Sequence, residues 1–69
     1  MEEVLIRCIV KFKFKKFYIA KDYNKNWYII HKNKLSTYFK VGGDYSFYAN
    51  LSKGVLFRRA TPVEVSLYA

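Results

Sequence analysis

Val4-Leu5-Ile6-Arg7-Cys8-Ile9-Val10-Lys11-Phe12-Lys13-Phe14 is the stretch on which the fold turns. Every even position is apolar, while the odd positions hold Leu5, Arg7 and Ile9 and then Lys11 and Lys13. Successive side chains of an extended chain point to opposite faces, so this alternation predicts a half-buried β-strand. Its core face comprises Val4, Ile6, Cys8, Val10, Phe12 and Phe14. The other face passes from apolar to basic toward Lys15, so the strand that nucleates a core also displays a row of cations.

Working outward, Lys15-Lys16 marks a bulge or sharp bend. Asp22-Tyr23-Asn24-Lys25-Asn26 is a turn, because Asp and Asn side chains stabilise local backbone reversals. Phe17 to Lys21 and Trp27 to His31 flank it and form a hairpin. Lys32-Asn33-Lys34 breaks the pattern again. Leu35, Tyr38 and Phe39 then stand at the spacing of a single helical turn packed on the core, so 35–39 reads as helical turn or loop rather than strand. Tyr45 to Ala49 alternates behind the turn Gly42-Gly43-Asp44, with Tyr45 on the core side and Tyr48 on the surface. Asn50 to Gly54 reads as a hairpin loop with Gly54 at positive φ, and Val55 to Ala60 returns as a strand. Pro62 lacks an N–H and belongs at a strand start or edge. Val63 to Tyr68 alternates once more. The count is five to six strands and no long helix.

The 69 residues make one domain, 1–69, near the lower size limit for folding without disulfides or metal. A short all-β chain cannot spread into a broad sandwich, and open sheet edges invite aggregation, so closure into a small five- to six-stranded barrel is the expected architecture. Thirteen Lys and Arg against five Asp and Glu give a net charge of +8, a self-repelling surplus that a polyanionic partner would use. No stretch approaches the roughly 20 apolar residues of a membrane span. The acidic start Met1-Glu2-Glu3 is unlike a basic signal peptide, so a cytoplasmic, intracellular protein without a membrane partner is expected.

The run Lys40-Val41-Gly42-Gly43-Asp44-Tyr45-Ser46-Phe47, after a long first strand, a hairpin and an irregular connector and before a final hairpin with Gly54, resembles small OB-fold domains and, less closely, SH3-like barrels. In OB-fold domains a K-V-G-D segment leads from the connector into the fourth strand; here it carries an extra glycine. The resemblance implies a barrel whose face binds single-stranded nucleic acid.

Enzymatic signals are close to absent. His31 and Cys8 are each the only residue of their type, and the acids Glu2, Glu3, Asp22, Asp44 and Glu64 are scattered over termini and turns. Catalytic and metal sites need convergent ligands, so neither catalysis nor a cofactor is expected. The candidate nucleic-acid surface interleaves Arg7, Lys11, Lys13 and Lys15 on the first strand with Tyr18, Trp27 and Tyr28 on the hairpin and Phe57, Arg58 and Arg59 late in the chain, Tyr18 and Tyr28 being the chosen stacking platforms. Cations neutralise phosphates while aromatic faces stack bases, and single-strand binders need both. Strand parity puts Arg58 and Arg59 on opposite faces, and Trp27 is assigned to the core. The expected partner is nucleic acid, single-stranded DNA or RNA ahead of double-stranded DNA. The alternative is a protein-interaction module: a small accessory subunit of a replication, transcription or ribosomal assembly, or a viral inhibitor covering an acidic surface. Self-association through the hairpin or the tail is a third reading.

Overall fold

β1 (Glu2–Lys13) runs along two neighbours in a computed structural model that describes residues 2–64. Its first part pairs antiparallel with β4 (Asp44–Ser52), from Glu2↔Leu51 to Ile9↔Asp44. Its second part pairs antiparallel with β2 (Phe17–Asp22), from Cys8↔Asp22 to Lys13↔Tyr18. β2 continues into β3 (Trp27–His31) through the expected hairpin, and β3 runs parallel to β5 (Arg58–Pro62). β5 returns antiparallel to β4, which closes a barrel of order β1-β2-β3-β5-β4. The all-β reading therefore holds: the described residues form a closed five-stranded mixed barrel, compatible with OB-like or SH3-like architecture.

The interior alternates small and large side chains. Cys8, Ala20, Ala49 and Ala60 leave room for Tyr18, Tyr28 and Ile30, all of them buried. Small-to-large alternation is how a narrow barrel fills its taper. One end is plugged by Phe39, stacked on Tyr45 with ring centroids 4.1 Å apart and tilted against Phe47 and Tyr18 at 5.3 and 5.5 Å. The 35–39 segment is a turn, as expected, held by the Ser36 N–H on the Asn33 carbonyl and the Phe39 N–H on the Ser36 carbonyl. Buried Ser36 donates its hydroxyl to the His31 carbonyl at 3.0 Å, and its own carbonyl accepts the Tyr18 hydroxyl at 2.8 Å.

Three expectations are corrected. The period-two reading of β1 fails beyond Val10, where Val10↔Ala20 is followed by Phe12↔Ile19 and Lys11 is left as a bulge. The extra residue reverses the parity, so Phe12 and Phe14 leave the core and are 55% and 47% exposed. The Lys15-Lys16 bend is present as well. Trp27 alternates with buried Tyr28 and lies half-buried on the outer face. The last hairpin is shifted: β4 reaches Ser52, β5 starts at Arg58, and Gly54 does not have positive φ. Glycine is required there because a Cβ would fall on the Phe57 carbonyl oxygen. Pro62 ends β5, opposite Ala49. The tail expected as a strand carries none at 63–64 and otherwise lies outside the described residues.

The extra glycine of the 40–47 run has a use. Gly42 takes φ 86°, a conformation costly for any side chain with a Cβ, and its N–H reaches the Val10 carbonyl at 2.8 Å. The Val10 N–H reaches the Gly43 carbonyl at 3.0 Å, so the two glycines extend the β1–β4 ladder to the bulge. A Cβ on Gly43 would lie 2.5 Å from the Tyr45 ring.

The reversal can be measured. Chemical denaturation of Phe39→Ala should show a loss of about 3–5 kcal/mol, the usual cost of emptying a buried phenylalanine site. Phe12→Ala should cost under about 1 kcal/mol, as exposed positions do. Equal losses would contradict the outward placement of Phe12.

Candidate nucleic-acid interface

Strand register builds a continuous outer row across the sheet: Phe12 opposite Ile19, Ile19 opposite Ile29, Ile29 opposite Arg59, and Arg59 opposite Ser52. A second row sets Ile9 opposite Lys21 and Lys21 opposite Trp27. The first row is apolar at Phe12, Ile19 and Ile29 and becomes basic at Arg59, and the second carries Lys21 between Ile9 and Trp27. Two open depressions lie beside the β3–β5 seam. The first, about 630 Å³, is floored by Phe17 and Ile29 and edged by Lys16, His31 and Arg59. The second, about 490 Å³, has Trp27 and Phe57 as its aromatic corner and Lys25, Lys53 and Arg58 around it. No acidic residue lines either one.

Aromatic pairs stand at both ends of this face. Phe14 stacks on Phe17 with centroids 4.8 Å apart, a geometry fixed by the Phe14 N–H on the Phe17 carbonyl at 2.9 Å. Trp27 meets Phe57 edge-on at 6.2 Å, and the Lys21 ammonium rests over the Trp27 ring at 5.2 Å. A cation–π contact at an accessible site is worth about 0.5–1 kcal/mol. Stacking of a base on an aromatic side chain is worth about 1–3 kcal/mol, so a base can displace the ammonium.

The residues predicted from sequence divide sharply. Tyr18 and Tyr28 are corrected: they are 0% and 5% exposed and point into the barrel, where no base can stack on them. The Tyr18 hydroxyl is spent on Ser36 and the Tyr28 hydroxyl on Asp22 at 3.0 Å. Burial raises the pKa of both phenols, with the Asp22 bond adding to the effect at Tyr28. Arg7 is exposed but committed to Asp44 at 3.4 Å, with its guanidinium 5.4 Å from the Tyr23 ring centre. Asp44 also accepts the Tyr23 hydroxyl, and the bonds from Tyr23 and then Arg7 hold its carboxyl below the usual range. This cluster lines neither depression. Lys11, Lys13 and Lys15 are exposed at the far end of β1 and the bend after it. Arg59 edges the first depression and Arg58 the second, on opposite faces of β5 as parity requires.

Sequence reasoning omitted Lys16, Phe17, Lys25 and Lys53 from the site and gave Trp27 to the core. Both faces of the hairpin are apolar, so the sequence offered Trp27 for either side and parity alone did not choose between them. The bulge at Lys11 leaves no mark in the composition. Cys8 is fully buried and burial pushes its thiol up to about 12, which removes it as a nucleophile at neutral pH.

Comparison with protein-family models, with curated proteins and with solved structures gives no match. The reading of this face rests on its geometry.

Asp22 ties the hairpin turn that carries Lys25 and Trp27. Its carboxylate accepts the backbone N–H groups of Asn24 and Asn26 at 2.9 and 2.8 Å and the Tyr28 hydroxyl. Burial alone would push the carboxyl up, but the bonds from Asn26, Tyr28 and Asn24 together hold it below its ordinary value. A depressed folded pKa means the unfolded chain takes the proton first. The contribution is complete above the unfolded value of roughly 4 and is lost as pH falls through the folded value below it. Asp22→Asn should therefore cost about 1–3 kcal/mol at pH 7 and flatten the acid side of the melting-temperature curve. An unchanged acid limb would remove Asp22 from this role.

Proposed function

We propose that the protein is a non-catalytic nucleic-acid-binding barrel that takes single-stranded DNA or RNA across its β2–β3–β5 face with little sequence preference. The observation that carries this reading is the pairing of two aromatic stations with cations from separate elements, on depressions that no carboxylate lines. Aromatic platforms accept any base, because every base has a π-face, and cations contact the phosphates that every nucleotide shares. The strand order, with β1 shared between β2 and β4 and β3 parallel to β5, favours the OB-like over the SH3-like arrangement. Phe17, Trp27 and Phe57 take the stacking role first assigned to Tyr18 and Tyr28.

A fluorescence-anisotropy titration with single-stranded DNA, RNA and double-stranded DNA over a range of salt tests the proposal. Affinity should fall log-linearly with salt, with a slope of about −0.7 for each phosphate neutralised on a single strand. Arg59→Ala should make that slope shallower by about 0.7, whereas Arg7→Ala, already paired with Asp44, should leave it unchanged. Absence of salt-sensitive binding at low ionic strength would sink the proposal.

One observation favours a second reading, a protein-interaction module. Val55 and Leu56 at the tip of the β4–β5 loop are 100% and 84% exposed. Exposed apolar clusters mark protein interfaces. Retention of a single stoichiometric protein from nuclease-treated lysate, abolished by Leu56→Ser, would favour this reading over the first.

A further inference from the structure

The second depression differs from the first in how its cations are delivered. Lys25 comes from the β2–β3 turn, while Lys53 and Arg58 bracket the β4–β5 loop, so two parts of the chain distant in sequence bring positive charge to the single Trp27–Phe57 corner. Phe57 presents an edge to Trp27 at 72°, which leaves the corner open as an angle between two aromatic surfaces rather than a closed stack. Its amide-bearing wall is fixed: the Asn26 side chain donates to Asp22 at 3.3 Å and is held by the same carboxylate that organises the turn.

Lys25 adds an independent observation. It is the one non-glycine residue at positive φ among the described residues, at 67°, although asparagines on either side of it would occupy that conformation more readily. A lysine kept in a conformation that disfavours it points to a use for its ammonium.

We infer that this corner is a discrete site for one phosphorylated nucleotide unit, its base stacked in the Trp27–Phe57 angle and its phosphate held by Lys25, Lys53 and Arg58. The inference rests on the nucleic-acid reading of the face and adds to it a point of attachment. The 490 Å³ depression has room for a base, a sugar and a phosphate, within the volumes usual for small-ligand sites. Both halves of the ligand are required, since the aromatic corner recognises no phosphate and three exposed cations alone recognise no base. The unit can come from a free nucleotide or from the phosphorylated end of a strand, which present the same chemistry.

Trp27 is the only tryptophan, so its emission reports on this corner alone. The intact chain is titrated with a nucleoside 5′-monophosphate, the parent nucleoside and inorganic phosphate. The mononucleotide should quench emission saturably, at least about tenfold more tightly than either half of the ligand. Lys25→Gly relieves the backbone, so it keeps or raises the melting temperature while weakening mononucleotide binding on the order of fivefold. Two oligonucleotides of one sequence, with 5′-phosphate and 5′-hydroxyl ends, identify the source. Tighter binding of the phosphorylated strand assigns the site to strand ends, and equal binding assigns it to free nucleotide. Quenching by inorganic phosphate as strong as by the mononucleotide, no saturation, or unaltered affinity in Lys25→Gly would overturn the inference. Oligonucleotide binding by anisotropy without a change in Trp27 emission would overturn the site and leave the broader reading standing. Saturable mononucleotide binding without oligonucleotide binding would do the reverse.

Discussion

The structure depends on β1 serving two partners in succession. Up to Ile9 its outer neighbour is β4, and from Cys8 onward it also pairs with β2. A straight strand could not follow both, because neighbouring strands of a closed barrel diverge around its axis. The bulge at Lys11 supplies the bend, and the hydrogen bonds of Val10 with Gly42 and Gly43 keep the strand covered on its other edge where β4 begins. Buried Ile6, Cys8 and Val10 hold β1 to the interior on one side of the bulge. Beyond it the strand has given up its inward face, which is how Phe12 and Phe14 come to lie on the outside beside Phe17 and Ile19.

The interior and the outer face are linked through the β2–β3 hairpin. Tyr18 and Tyr28 fill the barrel, and their hydroxyls leave it at opposite ends, one on Ser36 of the connector and one on Asp22 of the turn. A buried phenol without a partner is costly, so these bonds fix where connector and turn can sit. Phe17, Ile19, Trp27 and Ile29 are the alternate residues of the same strands, and their positions on the outer face follow from those of the tyrosines inside.

Much of the fold was legible because it rests on local rules. Asp22 and the asparagines marked the hairpin turn, Gly42-Gly43 marked the entry to β4, and alternation located β1, β2, β3 and β4. The errors share a cause. A period of two states which residues share a face only while the register is unbroken, and nothing in Lys11 itself announces that it will be left out of the ladder. In the hairpin both faces are apolar, so periodicity separates Tyr18 and Tyr28 from Trp27 without saying which set goes inside. Packing decides it: Ala20 alternates with Tyr18 and leaves space in the barrel for Tyr28 and Ile30, whereas the outward set of the same strands contains no small residue. The basic residues of the candidate site were legible only in part, since Lys53 and Arg58 share one loop but Lys25 joins them through tertiary closure and not through any spacing along the chain.

The short parallel seam between β3 and β5 has a kinetic meaning. It consists of Tyr28↔Arg58, Ile29↔Arg59 and Ile30↔Ala60, residues separated by a long excursion through the connector and β4. Pairings that close long loops come at a high entropic cost, so the seam completes late in folding, after the β2–β3 hairpin. Both depressions straddle it, with Ile29 or Trp27 on one side and Arg59 or Arg58 on the other. The face thus exists only in the closed barrel, and any molecule bound across it acts as a clasp that slows the barrel's opening.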